Sequence, residues 1–194
     1  MAYSASTGFR FRGCLDGTEH PAVQRYLLAG SATVKIGDLC RVNNAGLLVR
    51  AATTEPVAGV IVGLVDQNGI NVFSPRAQGT TGATLTYDDQ IATSSSNATD
   101  ATRNLKADVI IDVTGNCLWY NDSDGTLAQT NLYQMFDVAN GNQVTQSGAS
   151  DSNGQVQLMK IDPDEDADVS KGLFRIHENQ FGMGIDTGTA KVAA

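Results

Sequence analysis

The sequence predicts an all-β protein, built from one or two small antiparallel β-barrels or sandwiches with an extended N-terminal arm. The composition is 41% hydrophobic and only 18% charged, with 20 glycines, which is typical of β-rich chains with many turns. Short apolar runs are separated by Asn, Gly and Pro, the residues that favour turns. Several runs also alternate apolar and polar residues, as half-buried strands do.

The N-terminal arm is predicted over residues 1–21. This segment is rich in glycine and shows no helical periodicity, while phenylalanine and arginine alternate in it over residues 9–12. Such a segment is expected to add a strand to the edge of a sheet or to lie along a partner. The predicted contact residues of the arm are Tyr3, Phe9, Arg10, Phe11 and Arg12.

The first β module is predicted over residues 22–90. Its opening piece, residues 22–29, fits either a two-turn helix between a proline and a glycine or a short strand. We favour the strand because the surrounding chain is β. Residues 35–66 then predict three antiparallel strands that fold back on one another at turns containing Asn and Pro.

The closing strand of that unit, residues 57–65, is apolar at nearly every position, which favours a strand covered on both faces. Gly59 and Gly63 weaken a strand unless a neighbour packs closely or the strand bends, and the sequence leaves both explanations open. After this strand, Asn-Gly at residues 68–69 predicts a hairpin into residues 70–73.

Residues 91–103 are dominated by Ser, Thr, Asn and Ala and predict a linker or exposed loop. The second β module is predicted over residues 104–194, with an acidic loop and a Gly-rich C-terminal tail. The rhythm of strands and turns over residues 134–161 is similar to that over residues 38–65. This similarity suggests a structural duplication at low sequence identity.

The charge of the chain argues against a nucleic-acid partner. The formal net charge is -8, with 13 Lys and Arg residues against 21 Asp and Glu residues, whereas phosphate backbones are bound by basic faces. No apolar run of about 18 residues and no charged-then-apolar leader is visible, so we expect synthesis in a cytosol and no membrane partner. Cys14, Cys40 and Cys117 are widely spaced and odd in number, which favours buried free thiols over a disulfide framework.

An acidic segment is the candidate metal site. Four aspartates stand at alternate positions, a spacing at which carboxylates can wrap a calcium ion. They are Asp162, Asp164, Asp166 and Asp168. An EF-hand loop beginning at the first of them requires Gly and Glu where the chain has Ala167 and Leu173. We therefore favour a solvated acidic loop and predict no bound cofactor.

Catalytic signatures do not appear in the sequence. His20 and His177 stand far apart in the chain, and the adjacent carboxylates of Asp88 and Asp89 would point to opposite faces of a strand. Nucleophile elbows, Walker loops, paired Cys-x-x-Cys motifs and zinc-protease helices are missing. We therefore predict that the protein is not an enzyme.

Four runs, taken in order, resemble small β-rich virion proteins of tailed bacteriophages, the head-decoration or cement proteins. The runs are Arg-Tyr-Leu-Leu-Ala (25–29), Ile-Gly-Asp-Leu-Cys (36–40), Gly-Leu-Leu-Val-Arg-Ala (46–51) and Pro-Val-Ala-Gly-Val-Ile-Val-Gly (56–63). The resemblance covers about residues 22–75 and, more loosely, residues 171–176. It is carried by structural glycines and apolar strands, so it transfers no particular binding residue.

The resemblance implies a capsid-bound homo-oligomer, commonly a trimer, whose extended N-terminal segment contacts the major capsid protein. We therefore expect a structural virion protein that binds the outside of a phage capsid and reinforces the capsid lattice, after assembly in the host cytoplasm. The sequence leaves open a tail, collar or fibre module, or a β-type carbohydrate-binding or hydrolase domain. Repeats or a helical stalk would favour the fibre, and a pocket of convergent polar groups would favour the enzyme.

Overall fold

A computed structural model describes residues 8–17, 21–29, 34–65, 106–112, 115–139, 141–150, 154–161 and 170–177. These residues form an all-β fold of two antiparallel sheets with one short 3-10 helix at Gln129–Asn131. The all-β prediction is therefore confirmed, while the described strands form no closed barrel. The predicted hairpin into residues 70–73, the loop at 91–103, the acidic loop and the Gly-rich tail lie outside the described residues.

Within the described residues, eleven strands make up the two sheets. They are β1 (Arg10–Cys14), β2 (Val23–Leu27), β3 (Leu39–Val42), β4 (Leu48–Arg50), β5 (Gly59–Val65), β6 (Lys106–Ile111), β7 (Cys117–Asp122), β8 (Met135–Ala139), β9 (Gln143–Ser150), β10 (Val156–Ile161) and β11 (Lys171–Ile176). The five-stranded sheet has the order β2-β6-β5-β3-β4, and the six-stranded sheet has the order β1-β7-β11-β10-β8-β9.

The pairing of strands cuts across the predicted modules. β6 belongs by position to the module at 104–194, yet it pairs with β2 and β5 of the module at 22–90. β1 belongs to the predicted arm, yet it pairs with β7. Strands that precede and follow residues 91–103 pair with each other in one sheet. The change of composition at residues 91–103 therefore does not mark the end of that sheet.

Both sheets contain the same arrangement of five strands. β2 to β6 form the first repeat (residues 23–111), and β7 to β11 form the second repeat (residues 117–176). When the strands of each repeat are counted from one to five, both repeats have the lateral order one, five, four, two, three. β1 is an additional strand on the outer edge of β7. The duplication suggested by the sequence is thus present in the topology.

The repeats also agree in register. The pairing of the fourth and fifth strands has a register shift at equivalent residues of the two repeats. The shift lies between Ile61 and Gly63 in the first repeat and between Leu158 and Lys160 in the second. One parallel bridge in each repeat joins the residue after the first strand to the third strand. These bridges are Leu28–Leu48 and Ser123–Val144.

Backbone hydrogen bonds outside the strand ladders match as well. The bond from Gly37 N to Ile61 O (2.7 Å) corresponds to the bond from Tyr133 N to Leu158 O (2.8 Å) in the second repeat. The bond from Ile61 N to Asp38 O (3.0 Å) corresponds to the bond from Leu158 N to Gln134 O (3.0 Å). The bond from Ala29 N to Leu48 O (2.9 Å) corresponds to the bond from Asp124 N to Val144 O (2.9 Å). Gly37 and Tyr133 therefore occupy equivalent positions, and so do Asp38 and Gln134.

Turn chemistry explains why the chain reverses between β3 and β4. The side-chain Oδ1 of Asn43 accepts hydrogen bonds from the backbone N–H groups of Ala45 and Leu47, both at 3.0 Å. Gly46 has a φ of 75°, a conformation that glycine adopts without steric cost. The predicted three-stranded unit is confirmed, because β5, β3 and β4 are adjacent and antiparallel.

The two glycines of β5 have different roles. A Cβ on Gly59 would collide with the carbonyl oxygen of Ile110 and lie 2.9 Å from Cγ1 of Val109, so the neighbouring strand approaches closely there. A Cβ on Gly63 would lie 3.4 Å from the Asp108 side chain, which is ordinary contact. Gly59 therefore marks a close contact, and Gly63 marks the irregularity in strand pairing.

One face of the first repeat packs against the second repeat and forms the main core. Leu39, Val60 and Ile110 of the first repeat join this core. Trp119, Phe136 and Phe174 of the six-stranded sheet are buried in the same core. Alternate residues of a strand point to opposite faces, so the residues next to these in the strands of the first repeat lie on the other face of its sheet.

A second, smaller core covers the other face of the first repeat. Cys40, Ile61 and Val109 belong to it, and each is fully buried. Val60 and Ile61 are neighbours in β5 and fall in different cores. The prediction of a strand covered on both faces within residues 57–65 is therefore confirmed, and the strand itself begins at Gly59.

Candidate binding surface

The described part of the predicted arm belongs to the fold of this chain. Phe9 is only 3% exposed and belongs to the main core. Phe11 packs edge-to-face on Trp119, with ring centroids 5.6 Å apart. These two predicted contact residues therefore contribute apolar surface to the core of their own chain, and Tyr3 lies outside the described residues.

The two arginines of the predicted arm are exposed on β1. The guanidinium of Arg12 lies 5.0 Å from the centroid of the Tyr120 ring, a cation–π geometry. Arg10 is the neighbour of Tyr120 across the β1–β7 pair. Of the predicted contact residues that the structure describes, Arg10 and Arg12 are thus the exposed ones.

The predicted metal and catalytic candidates are not assembled within the part of the chain that the structure describes. Asp162, Asp164, Asp166, Asp168, His20, Asp88 and Asp89 lie outside it. His177 lies just after β11, and its backbone N–H donates to the carbonyl oxygen of Gln155 at 2.8 Å. Among the described residues, no group of three or more His, Cys, Asp and Glu side chains is arranged to hold a metal ion.

Asp112 is a buried carboxylate that closes the connection into β7. Its two oxygens accept hydrogen bonds from the backbone N–H groups of Asn116 (2.8 Å) and Cys117 (3.0 Å). Burial raises the pKa of Asp112, while these hydrogen bonds act in the opposite direction. The side chain satisfies backbone donors in the way that a capping residue does, which is a structural role.

Asp38 is a second buried carboxylate and lies where the two repeats meet. Its Oδ2 accepts a hydrogen bond from the Lys35 N–H at 2.8 Å, while its Oδ1 is buried without a partner. Burial raises the pKa of Asp38 to about 6, although Arg50 and Lys35 favour the ionised form. The next residue, Leu39, donates its N–H to the carbonyl oxygen of Gly141 at 2.6 Å.

Gln155 provides a polar link between the repeats. Its Nε2 donates to the carbonyl oxygens of Ala52 (2.9 Å) and Glu55 (2.7 Å) in the first repeat. Its Oε1 accepts from the N–H of Val138 at 3.1 Å in the second repeat. Asp38, Asp112 and Gln155 are therefore all used to hold backbone in place, and all three are buried.

The edge strand β2 carries the most distinctive exposed surface of the described fold. Val23 is 55% exposed and Leu27 is 42% exposed, although both side chains are large and apolar. β2 stands at the end of the five-stranded sheet, with β6 on one side only. Its counterpart in the second repeat, β7, has β11 on one side and β1 on the other. The position that β1 fills on β7 has no described strand on β2.

An ion pair separates the two apolar side chains of this edge. Arg25 donates from Nε and Nη2 to the two carboxylate oxygens of Asp108, at 2.7 and 2.9 Å. Val23, Arg25 and Leu27 alternate along β2, so they share one face of the strand. We call these three residues the β2 edge stripe. It presents two apolar groups flanking a charge that is already neutralised.

The sequence contains the alternation of the β2 edge stripe, but it does not show that β2 is an edge. That fact depends on which strands pair over long distances, and a free edge has no local signal. The arm was predicted as the contact site because its alternation of phenylalanine and arginine is equally visible. Phe9 is buried and Phe11 is partly buried because β1 pairs with β7 of the same chain.

Comparisons with known proteins give no relative: no protein-family model, no curated protein and no solved structure matches the chain. Over the described residues, no helix is long and apolar enough to cross a membrane.

Proposed function

We propose that this protein is a structural virion component that binds the outside of a phage capsid and reinforces the lattice of the major capsid protein. The observation that carries the proposal is the β2 edge stripe, an exposed apolar strand edge whose counterpart in the second repeat is covered by β1. The resemblance of residues 22–75 to head-decoration proteins supports the same function. In this proposal the protein acts without a cofactor and as a homo-oligomer, most simply a trimer.

Strand addition at β2 is the proposed mode of binding. An edge strand offers unpaired backbone donors and acceptors, and an extended segment of a partner can extend the sheet there. The pairing of β2 with β6 is regular over all five residues, with no bulge that would twist the edge away. By contrast, the β1 edge is interrupted between Phe11 and Gly13 and carries two exposed arginines. β2 is therefore the better edge for addition.

Many copies on one particle would strengthen a contact of this modest size. A single edge of five residues offers few hydrogen bonds, but linked sites raise the effective concentration of each further contact. A homo-oligomer that presents several β2 edges to neighbouring shell subunits would bind more tightly than its separate chains. Location on the capsid follows from this mode of action.

We also propose a finer description of the architecture, as two curved sheets packed face to face. The shared main core supports the face-to-face packing. The Leu28–Leu48 and Ser123–Val144 bridges support the curvature, because each draws the first strand of a repeat towards its third. This arrangement is a sandwich of two curved sheets.

A tail, collar or fibre module is the second candidate, and the internal repeat is the observation that favours it. Fibre and tail proteins gain length by repeating one β unit, and this chain contains one unit twice. The copy number and position of the protein in purified particles, seen by electron microscopy, separate the two functions. A shell-wide distribution supports decoration, and a single location at one vertex supports the alternative.

The β2 edge stripe gives a direct test of capsid binding. We expect the double variant Val23→Lys, Leu27→Lys to cosediment with purified empty heads at least about tenfold more weakly than the wild type, a loss of about 1.4 kcal/mol. The reason is that lysine on an edge strand opposes strand addition. The circular dichroism spectrum should not change, because both side chains are exposed in the wild type.

Leu15→Lys is the matched control. Leu15 is 52% exposed and lies next to the other edge, beyond β1, so the same change of chemistry is made away from β2. The control should bind heads like the wild type. Equal binding by all three proteins would exclude the β2 edge as the capsid contact. A deletion of residues 1–20 cannot replace this test, because it removes β1 and Phe9 from the fold.

A further inference from the structure

Two of the three cysteines lie side by side at the junction of β1 and β7. Cys14 is the last residue of β1 and Cys117 is the first residue of β7, and they are directly opposite each other in the antiparallel pair. Their Sγ atoms are 3.2 Å apart, and both thiols are free. The backbone beyond the pair is fixed by a hydrogen bond from the N–H of Leu15 to the carbonyl oxygen of Asn116, at 2.8 Å.

The third cysteine is placed differently. Cys40 is fully buried in the smaller core, and its Sγ donates to the carbonyl oxygen of Gly59 at 3.3 Å. The odd number of cysteines therefore resolves into one adjacent pair and one buried residue. The expectation of buried free thiols holds for Cys40 and Cys117, whereas Cys14 is free but only partly buried. The sequence did not show that Cys14 and Cys117 meet.

We propose that Cys14 and Cys117 form a modification site, at which a low-molecular-weight disulfide such as oxidised glutathione converts the two thiols into a cross-strand disulfide. The neighbouring sulfur atoms and their opposed positions in the strand pair carry this inference, because the two residues need little backbone movement to bond. It does not depend on capsid binding, and it goes beyond the proposed function.

The chemistry proceeds in two exchanges. The thiolate of Cys14, the more exposed of the pair, attacks the external disulfide, whose S–S bond breaks and releases one small thiol. The thiolate of Cys117 then attacks the Sγ of Cys14 in the mixed disulfide and releases the second small thiol. Two protein thiols are thereby oxidised, the external disulfide is reduced to two thiols, and the two protons lost by the cysteines are taken up by the leaving thiolates.

The environment of Cys117 determines how fast the second exchange can occur. Burial raises the pKa of the Cys117 thiol, and the neighbouring Cys14 and Asp112 act in the same direction. The thiolate of Cys117 is therefore scarce at neutral pH. Closure of the disulfide should accelerate as the pH rises, and it should be slow in a reducing cytosol, where the external disulfide is scarce.

The disulfide would attach the edge strand β1 to the second repeat. The two cysteines are 103 residues apart in sequence, so the bond closes a long loop. Cross-links across long loops remove much conformational freedom from the unfolded chain. We expect the melting temperature of the oxidised protein to rise by about 5 °C or more, and the rise to be reversed by dithiothreitol.

The test uses the full chain and counts free thiols. The protein is incubated with excess oxidised glutathione at about pH 8, denatured, alkylated and weighed by intact mass spectrometry. The expected product carries one alkyl group in place of three, and peptide mapping finds Cys14 linked to Cys117. The Cys40→Ala variant should lose both of its remaining thiols, while Cys14→Ser should lose none to an internal disulfide.

Two results would overturn the proposal. The first is a product that retains three alkylated thiols. The second is a stable mixed disulfide on Cys14, which would mean that Cys117 cannot reach it. If Cys14→Ser does not fold, the Cys40→Ala variant still decides the question, because the linked cysteine pair is intact in that variant.

Discussion

The first and second repeats have the same strand arrangement, but one face of β5 carries different side chains from the equivalent face of β10. In the first repeat Val60 pairs with Ile110 on this face, and both are buried against the second repeat. The equivalent pair in the second repeat is Gln157 with Arg175. The Nε of Arg175 donates to Oε1 of Gln157 at 2.7 Å. We call this face the outer face of each repeat.

The difference shows which face of the first repeat the second repeat covers. The apolar outer face of the first repeat must be covered, and the second repeat covers it. The outer face of the second repeat carries a hydrogen-bonded polar pair at the equivalent position, in which Gln157 is only 9% exposed. Terminal repeats with a polar outer face are the usual way in which a stacked array is ended.

The repeats differ at their first strands as well. β7 is covered by β1, whereas β2 exposes Val23 and Leu27 at the edge of its sheet. Within the described residues, the first strand of the second repeat is therefore paired along both edges, whereas the first strand of the first repeat is paired along one edge only. Incomplete edges are places where a partner can add, which is why the proposed capsid contact lies on the first repeat.

Exchanging the outer-face residues gives the largest expected effect. Val60→Gln places an amide in the main core, where it loses apolar burial and finds no partner, so we expect a loss of about 3 kcal/mol in the free energy of unfolding. The reciprocal change, Gln157→Val, removes hydrogen bonds to Arg175 and to the carbonyl oxygen of Tyr133, and should cost about 1 kcal/mol. Urea denaturation measures both values. Equal losses would mean that the two outer faces are not different.

A pH series tests the equivalent positions Asp38 and Gln134, of which only the first can ionise. The pKa of Asp38 is raised to about 6 from 3.8, so this group stabilises the fold most when protonated, below about pH 4, and the stabilisation is lost as the pH rises through 6. We expect the free energy of unfolding to fall by about 2 kcal/mol from about pH 4.5 to about pH 7.5 on this account.

Asp38→Asn should remove that part of the pH dependence. Asn retains an oxygen for the Lys35 N–H but has no proton to gain. Asp112, whose pKa is also raised by burial, remains in the variant and retains its own part of the slope. Denaturation curves of both proteins across this pH range give the comparison, and an unchanged slope in the variant would show that Asp38 is not the group that titrates.

The smallest expected effect concerns Gly37 and Tyr133. Both need a left-handed backbone, with φ of 92° and 66°, but only the first is a glycine. Tyr133 is 63% exposed, so its side chain contributes little burial to offset that strain. Tyr133→Asn should raise the free energy of unfolding by about 0.5 kcal/mol, because Asn tolerates this conformation. Tyr133→Ala shortens the side chain and retains the strain, so a gain in that variant would contradict the explanation.

The local elements of this fold were accessible from the sequence, because turns and strand patterns are local properties. The hairpin at Asn43, the buried strand β5 and the similarity between the two strand sets were all predicted from short runs of residues. Strand neighbours were not accessible, because the pairing of β6 with β2 and of β1 with β7 joins residues far apart in the chain.

The candidate site was missed for the same reason. Val23 and Leu27 are exposed at a sheet edge because no described strand lies beside β2, and Phe9 is buried where β1 pairs with β7. The adjacent Cys14 and Cys117 thiols also depend on that pairing. Residue type and spacing indicated which groups to consider, but the topology decides which of them are exposed or meet.

The pairing of β1 with β7 also affects the order in which a growing chain can fold. β1 leaves the ribosome before its partner strand, which begins more than 100 residues later, as the 103-residue separation of Cys14 and Cys117 shows. At about 10 residues per second, β1 waits roughly 10 s before β7 exists. During that interval the ring of Trp119, on which Phe11 packs, and the second-repeat side of the main core are not yet made. The residues of β1 are therefore made well before the strand with which they pair.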